Sequence, residues 1–351
     1  MRPKPHHSSW FNRRMGMIKQ FIQKSLSLFR FGKEWIDNLL GSLTEAARTI
    51  SYVETINPQI SDTLHREIKY SEEIIFKRAF EENVRKSLPL LKLDSVKVAI
   101  DVTEDLYWGK WGLENTRASA HEHQLESWQY VNLSIVEPYF IPLMSIPYKM
   151  IDSLDDCVIE LLEYLRTLPL KVDLVLFDRG FYHWYLIDYL NGHNRGWAWP
   201  YVIFVPQNDA MKNFIEQTKG SIGKFVHQDK YTRDQTSWVV KTRIIILKAA
   251  SKNKNGDPID WCFTTNQNLD FQILKIYRKR WNIETGFRIH DEARIKSKSA
   301  NPLIRLFYHL LGMLFILVWR INNQTQKYEV FKRFLRIIER EFYQIIVLKP
   351  T

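Results

Sequence analysis

Val96-Lys97-Val98-Ala99-Ile100-Asp101 is a short β-branched run that ends in a carboxylate. Val172-Asp-Leu-Val-Leu-Phe-Asp178 has the same form, an apolar run that is closed by an aspartate. Runs of this length and composition are typical of buried β-strands. Because the ends of adjacent strands in an α/β sheet lie close together, the two runs predict that Asp101 and Asp178 are neighbours.

Helical spacing of apolar residues precedes the first run, with predicted helices over 35–49 and 61–91. After Asp101 the pattern changes to strands, and then to strands that alternate with helices. The first of these helices is predicted over 153–168, with Ser153 as its cap and two aspartates in its first turn. This order describes a mixed α/β layer with right-handed crossovers. The sequence therefore predicts an α/β fold in which a mixed-sheet core follows a small all-α N-terminal domain.

The chain of 351 residues carries 50 Lys and Arg against 39 Asp and Glu, a net charge of +11. Such a basic chain indicates an acidic polymer or surface as partner, with nucleic acid the leading candidate. Cys157 and Cys262 are the two cysteines, which excludes a disulfide framework and fits a reducing cytoplasm. The apolar run 306–319 is shorter than the roughly 20 residues of a membrane span, so it predicts a buried core helix and no membrane.

A third acid, Glu284, lies in a predicted helix over 269–288. Tyr277, Arg280 and Glu284 are three and four residues apart, so they project from one helix face. Three carboxylates are hard oxygen ligands that suit Mg²⁺. Two such ions activate an attacking oxygen and stabilise a leaving oxygen in phosphodiester chemistry. The alternative for each acid is a solvated surface residue, and the alternative for Arg280 is an ion pair with Glu284 on a solvated helix face.

The local contexts of the three acids carry a resemblance to a known family. Asp101 lies in Ala-Ile-Asp-Val-Thr-Glu-Asp-Leu-Tyr-Trp-Gly-Lys, Asp178 in Val-Leu-Phe-Asp-Arg-Gly-Phe-Tyr, and Glu284 in Tyr277-Arg-Lys-Arg-Trp-Asn-Ile-Glu-Thr-Gly-Phe-Arg. Over roughly residues 95–320 the chain resembles the insertion-sequence DDE transposases that carry a Tyr-x2-Arg-x3-Glu-x6-Lys signature. The resemblance implies a ribonuclease H-like catalytic core that uses two Mg²⁺ ions, for which Mn²⁺ can substitute.

The resemblance also implies roles for individual residues. Catalysis and metal binding fall to three acids: Asp101, Asp178 and Glu284. DNA binding falls to six residues: Tyr277, Arg280, Trp238, Arg288, Lys296 and Lys298. Trp238 is expected to stack on a flipped base, whereas Trp281 and Ile283 are expected to pack into the core. The signature lysine is replaced by Asp291, and Lys296 and Lys298 follow it closely.

The predicted domains are a helical, basic DNA-binding domain (1–93), a DDE catalytic domain (94–325) and a C-terminal amphipathic helix (326–351). A β-rich insertion is predicted at about 206–258. The C-terminal helix is expected either to mediate self-association or to pack on the catalytic core. Expected partners are double-stranded DNA, namely terminal inverted repeats and target DNA, and a second copy of the chain. The expected location is the cytoplasm, on the nucleoid.

Three functions fit these observations. The first is a transposase that cuts element ends and joins the 3′-hydroxyl to target DNA. The second is a metal-dependent nuclease or a degenerate transposase, which Asp291 favours. The third is a DNA-binding protein without catalysis, in which the acids are surface residues. His121 and His123 fit no zinc spacing and are interpreted as a polar loop.

Overall fold

The computed structural model describes residues 9–26, 32–49, 51–109, 112–113, 115–120, 125–192, 196–325 and 328–347. Strands of the described residues are β1 (Val96–Tyr107), β2 (Arg117–Ala118), β3 (Glu126–Glu137), β4 (Ile141–Pro147), β5 (Val172–Phe177), β6 (Tyr201–Phe204), β7 (Ile222–Arg233), β8 (Thr236–Lys252) and β9 (Pro258–Thr265). Helices are α1 (Ser9–Leu26), α2 (Lys33–Thr49), α3 (Val53–Ile56), α4 (Pro58–Lys69), α5 (Glu73–Leu91), α6 (Leu154–Arg166), α7 (Trp184–Leu190), α8 (Asp209–Gln217), α9 (Gln272–Tyr277), α10 (Trp281–Ala293), α11 (Pro302–Thr325) and α12 (Phe331–Val347). His121 and His123 lie outside the described residues.

The described strands form one nine-stranded sheet in the order β2-β3-β1-β5-β6-β9-β8-β7, with β4 also paired to β3. β3 is antiparallel to both β1 and β4, whereas β1, β5 and β6 are parallel neighbours. β9 and β8 continue the sheet beyond β6 with antiparallel pairing. The segment predicted as a β-rich insertion therefore contributes α8, β7 and β8, and its strands extend the same sheet.

Helix α6 connects β4 to β5, and α7 connects β5 to β6. Ser153 caps α6, since its hydroxyl accepts a hydrogen bond from the backbone N–H of Asp156 at 3.4 Å. This confirms the cap predicted from the sequence, because a serine before an acidic first turn satisfies a free N–H group. Both helices begin at the end of the sheet at which the central strand β5 terminates.

Two predicted helices are interrupted in the structure. The helix predicted over 61–91 is wrong as a single element, because α4 ends at Lys69 and α5 begins at Glu73. Ile74 and Ile75, counted in the apolar face, are 41% and 37% exposed. The helix predicted over 269–288 is divided by a 3₁₀ turn at Arg278–Arg280. Apolar spacing continues through a short turn, so periodicity alone does not reveal such breaks.

Helix α11 is the central core helix. The stretch Pro302–Gln324 is long and apolar enough to span a membrane, but 83% of its most apolar window is buried inside the protein. It packs against α4, α5, α10 and β4. The structure therefore agrees with the predicted core helix.

Helix α12 covers α2 with its apolar face. Five of its apolar side chains are buried: Phe331, Phe334, Leu335, Ile338 and Phe342. Arg48 of α2 forms an ion pair with Glu339, with 3.0 Å between Nη2 and Oε1. The helix thus packs mainly on an N-terminal helix and not on the catalytic core as expected, and self-association through it stays a prediction.

A pair of buried histidines joins α10 to α11. His290 donates from Nε2 to the backbone carbonyl of His309 at 3.1 Å, and their rings lie 4.5 Å apart. His309 contacts the hydroxyl of Ser145 at 2.8 Å and stacks on Tyr130. Burial lowers the pKa of both histidines below the usual 6.5, and the nearby Arg294 lowers both further.

We predict that the free energy of unfolding falls as the pH drops below about 6.5. Both histidines have a lower pKa in the folded chain than in the unfolded chain, so protonation favours unfolding. The stability they contribute is complete above the unfolded pKa, and each loses at most about 1.4 kcal/mol per pH unit below it. Urea denaturation between pH 5 and 8 measures the slope.

His309→Asn should reduce this slope, whatever its effect on stability at neutral pH. His183→Asn is the control with opposite sign, because the hydrogen bond that His183 donates to the Asp155 carboxylate raises the pKa of His183. Equal slopes in wild type and His309→Asn would contradict the prediction.

Candidate active site

The register of β1 and β5 brings two of the predicted acids together. Ile100 pairs with Phe177 in the parallel ladder, so Asp101 and Asp178 follow at the same level on adjacent strands. Side chains at matched positions of neighbouring strands leave the sheet on the same side. Asp101 is also fixed by its own backbone, since its Oδ1 accepts the N–H of Val102 at 2.9 Å.

Helix α10 delivers the third acid to these two strands. Asn282 donates to the backbone carbonyl of Val136 in β3 at 2.8 Å. Gly286 lies against the ring of Phe140 so closely that an added Cβ would be 2.2 Å from a ring carbon. A side chain at position 286 would therefore displace the helix. The Thr-Gly pair after Glu284 is explained by this close approach.

Arg280 connects two of the three acids. Its Nη1 donates to Oδ2 of Asp101 at 2.7 Å, and its Nη2 donates to Oε1 of Glu284 at 2.8 Å. The Arg280 side chain is 7% exposed, whereas Glu284 is 55% exposed. The sequence suggested pairing with Glu284 as one possibility; the second bond, to Asp101, depends on the tertiary fold.

The remaining acid, Asp178, is held by Tyr277. The Tyr277 hydroxyl donates to Oδ1 of Asp178 at 3.2 Å. The Tyr277 ring is 2% exposed and packs against Phe204, Trp261 and Phe263. Tyr277, which the resemblance gave as a DNA contact, therefore faces a carboxylate and the core in this structure.

The pKa of Asp101 is raised to about 6. Burial is the largest cause, and the nearby Asp178 and Glu284 carboxylates raise it further. The Arg280 guanidinium and the Val102 N–H act in the opposite direction. A carboxylate with this pKa is ionised only in part below neutral pH, and a cation bound beside it favours the ionised form.

The donor set of Asp101, Asp178 and Glu284 has the chemistry of a divalent-cation site, since all three offer carboxylate oxygens. In the described part of the chain, no group of three His, Cys, Asp or Glu side chains is arranged to hold a metal. The reason is visible in the contacts, because Arg280 lies between Asp101 and Glu284. Both acids are available to a shared cation only after the guanidinium moves.

Exposed residues of α10 continue from Glu284 along one face. Thr285 accepts a hydrogen bond from Arg288 at 3.1 Å, and Arg288 is exposed as a DNA contact requires. Trp281 lies on this face and is 45% exposed, so the expectation that it packs into the core is wrong. Ile283 is buried as expected. The 3₁₀ turn before Trp281 shifts the phase of the helix and turns the indole outward.

Lys296 and Lys298 do not contact the three acids. They follow α10 and line a cleft of about 610 Å³, together with Asp291 and the end of β1. Asp291, at the position of the signature lysine, lies 3.7 Å from Arg294. Asp291 is therefore paired with a cationic side chain, Arg294, three residues further along the chain. The sequence reading missed Arg294, although its spacing of three residues from Asp291 is a helical neighbour signal.

Trp238 lies near the tip of the β7–β8 hairpin, directly opposite Tyr231. Tyr231 donates to Asp188 of α7 at 2.9 Å, and Arg233 pairs with Asp156 of α6 at 2.9 Å. The hairpin tip thus folds onto the helices that begin at the edge where β5 ends. The stacking role of Trp238 stays a prediction.

We predict a strong energetic coupling between Arg280 and Asp101. Arg280→Gln should lower the free energy of unfolding at pH 7 by about 1–3 kcal/mol, because it leaves a buried carboxylate without its cation. In an Asp101→Asn background the same substitution should cost less. Urea denaturation of the four proteins gives the coupling energy.

Lys279→Gln is the control, since Lys279 pairs with Glu137 at the surface and should change stability by less than ~1 kcal/mol. Additive effects of Arg280→Gln and Asp101→Asn would contradict this coupling.

Two comparisons with known proteins found a match. Residues 155–319, which include Asp178 and Glu284, match the protein family described as "Transposase DDE domain". Among solved structures the chain is similar to a "Cryo-EM structure of piggyBac transposase synaptic complex with hairpin DNA (SNHP)". The sequence identity is 14% and the TM-score 0.57, over 97% of this chain and 80% of that one, which shows a shared fold. The search of curated proteins gave no match. The matched domain and the shared fold together support a transposase of the DDE type.

Proposed function

We propose that this chain is the DNA transposase of an insertion sequence, which cuts element ends and joins the freed 3′-hydroxyl to target DNA. The observation that carries the proposal is the convergence of Asp101, Asp178 and Glu284 around Arg280 and Tyr277. The strand order β4-β3-β1-β5-β6, antiparallel only at β3, supports a ribonuclease H-like core.

Asp101, Asp178 and Glu284 would hold two Mg²⁺ ions, with Mn²⁺ as a possible substitute. Bound there, the ions would activate the attacking oxygen and stabilise the leaving oxygen. Tyr277 orients Asp178 through its hydroxyl, and burial of its ring among aromatic side chains keeps that hydroxyl in place. Arg280 bonds to Asp101 and Glu284; turned away from these acids, it would offer its planar donors to a DNA phosphate.

Arg288 extends the cationic surface along α10 and would contact a neighbouring phosphate. The N-terminal helices α1–α5 would recognise the terminal inverted repeats, and Trp238 would stack on a flipped base. We propose double-stranded DNA as the partner, a homodimer that bridges two element ends, and a location on the nucleoid in the cytoplasm. The similar piggyBac structure is a complex with hairpin DNA, which supports DNA as the substrate.

We predict that the protein cuts a labelled element-end duplex in Mg²⁺ and that Glu284→Ala removes this activity. The loss should exceed the effect of Glu292→Ala, a matched acid on the exposed side of the same helix that pairs with Lys332. The substrate is taken from the repeats that flank the gene. Binding of the same duplex should persist in Glu284→Ala.

Cutting that persists in Glu284→Ala would contradict the assignment of the third acid. A strand-transfer assay then separates the transposase from a metal-dependent nuclease or a degenerate transposase. The nuclease is the second candidate because Asp291 stands where the signature has a lysine. Cutting without joining would favour it, and duplex binding without cutting by the wild type would favour the degenerate transposase.

We also predict a steep salt dependence of duplex binding. If the protein neutralises about 6–10 phosphates, the affinity should fall by ~10³–10⁵ between 50 and 200 mM salt, because bound cations are released from DNA. Arg288→Ala should reduce the slope of log affinity against log salt by about one. A salt-independent affinity would contradict phosphate recognition.

A further inference from the structure

A second site lies at the far end of β1, in the cleft of about 610 Å³. One wall is the end of β1 with Tyr107 and Trp108, and the other is formed by Lys296 and Lys298 after α10, with Tyr52 beside them. A cavity of this size is in the range of small-ligand sites, roughly 300–1,000 Å³. We name this site the Trp108 cleft.

The acidic side chains on the floor of the Trp108 cleft are held by ion pairs and hydrogen bonds within the protein. Asp105 accepts from Arg294 at 2.8 Å and from Arg305 at 3.3 Å. Glu104 accepts hydrogen bonds from Ser119 and from the backbone N–H of Ala120. The charged side chains at the base of the cleft therefore already have partners within the protein.

The two lysines of the wall, Lys296 and Lys298, differ from Asp105, Arg294 and Arg305 in their ion pairing. Within the described part of the chain, neither the Lys296 nor the Lys298 ammonium forms an ion pair. The backbone of this segment is nevertheless fixed, because Val53 donates to the Lys296 carbonyl at 3.2 Å and Lys298 donates from its N–H to Glu54 at 3.0 Å. Two cations are thus presented from a fixed backbone, and among the described residues neither ammonium is held in an ion pair by the nearby carboxylates of Glu54 and Asp291.

Trp108 supplies an aromatic surface beside these cations. Its side chain is 75% exposed, an unusual exposure for the largest apolar residue. Tyr107, the preceding residue, also lines the cleft, and its ring lies edge-on to Trp128 at 6.1 Å. Tyr52 contributes a second ring, 41% exposed, with the Lys298 ammonium 5.2 Å from its centre.

We propose that the Trp108 cleft binds one unpaired nucleotide of a DNA strand, with its base stacked on Trp108 and its phosphate bound by Lys296 and Lys298. Aromatic faces beside basic side chains are the usual recognition surface for single-stranded nucleic acid. Asp291, 58% exposed at the rim, repels the phosphate and so favours its binding on the lysine side. The proposal rests on the proposed function for the identity of the ligand as DNA.

The position of the cleft is consistent with a strand that also passes the acids. Asp105 lies four residues after Asp101 on β1, about 13 Å at ~3.3 Å per residue. Asp291 lies seven residues after Glu284 on α10, about 10 Å at ~1.5 Å per residue. Two independent elements therefore place the cleft a few nucleotides from the acids, where an unpaired flank of a cut or hairpin end would lie.

The experiment compares binding of a blunt duplex and of the same duplex with three unpaired nucleotides, by fluorescence anisotropy without metal so that no cutting occurs. Wild type should bind the extended duplex about 5- to 150-fold more tightly, the equivalent of ~1–3 kcal/mol for one stacked base. Trp108→Ala should lose this preference and Trp108→Phe should keep most of it. Tyr70→Ala, an 84% exposed aromatic outside the cleft, is the control and should leave it unchanged.

Lys298→Ala should weaken binding of the extended duplex more than that of the blunt one, whereas Lys252→Ala, an exposed lysine on β8, should affect both alike.

A preference retained in Trp108→Ala, or absent in the wild type, would overturn the proposal. Neither result affects the predicted cutting by Glu284. Conversely, a protein that fails to cut but prefers the extended duplex would retain the Trp108 cleft and lose the transposase assignment.

Discussion

The cation at Arg280 allows this chain to keep three carboxylates together. Strand pairing forces Asp101 beside Asp178, and helix α10 adds Glu284, so the fold gathers negative charges that repel one another. Arg280 binds Asp101 and Glu284 at once, and its buried Nε has no partner within the described residues. The guanidinium is therefore satisfied only along the edge that faces the acids. A divalent cation held by these acids would compete for the same oxygens, so occupancy of the site would be coupled to the position of Arg280.

The rest of the molecule keeps α10 at the distance this interaction needs. Gly286 permits contact with Phe140, and Asn282 bonds to the backbone of β3. Behind α10, the core helix α11 is buried on all sides and is joined to it through His290 and His309. Close packing on both faces leaves the helix little freedom to move, so a rigid frame surrounds an exposed Glu284.

Local sequence was sufficient for many of the elements. β-branched runs predicted the two strands that carry Asp101 and Asp178, a serine before two aspartates predicted the start of α6, and apolar composition predicted the core helix α11. The strand β7 escaped prediction because polar residues occupy most of its positions and only one of its residues is buried. Three motifs in family order also identified the acids, although motif spacing contains no information on which side chains touch.

What the sequence determined by itself is most of the strands and helices, the basic charge and the three acids that converge in the fold, because these depend on residues close together in the chain. The tertiary structure decided the rest. It turned Trp281 outward, buried Tyr277 against Asp178 and placed Arg280 between two acids. It also assembled the Trp108 cleft from segments far apart in the sequence. The physical reason is that sheet register and helix packing set these contacts, and both are fixed only when the whole core is formed.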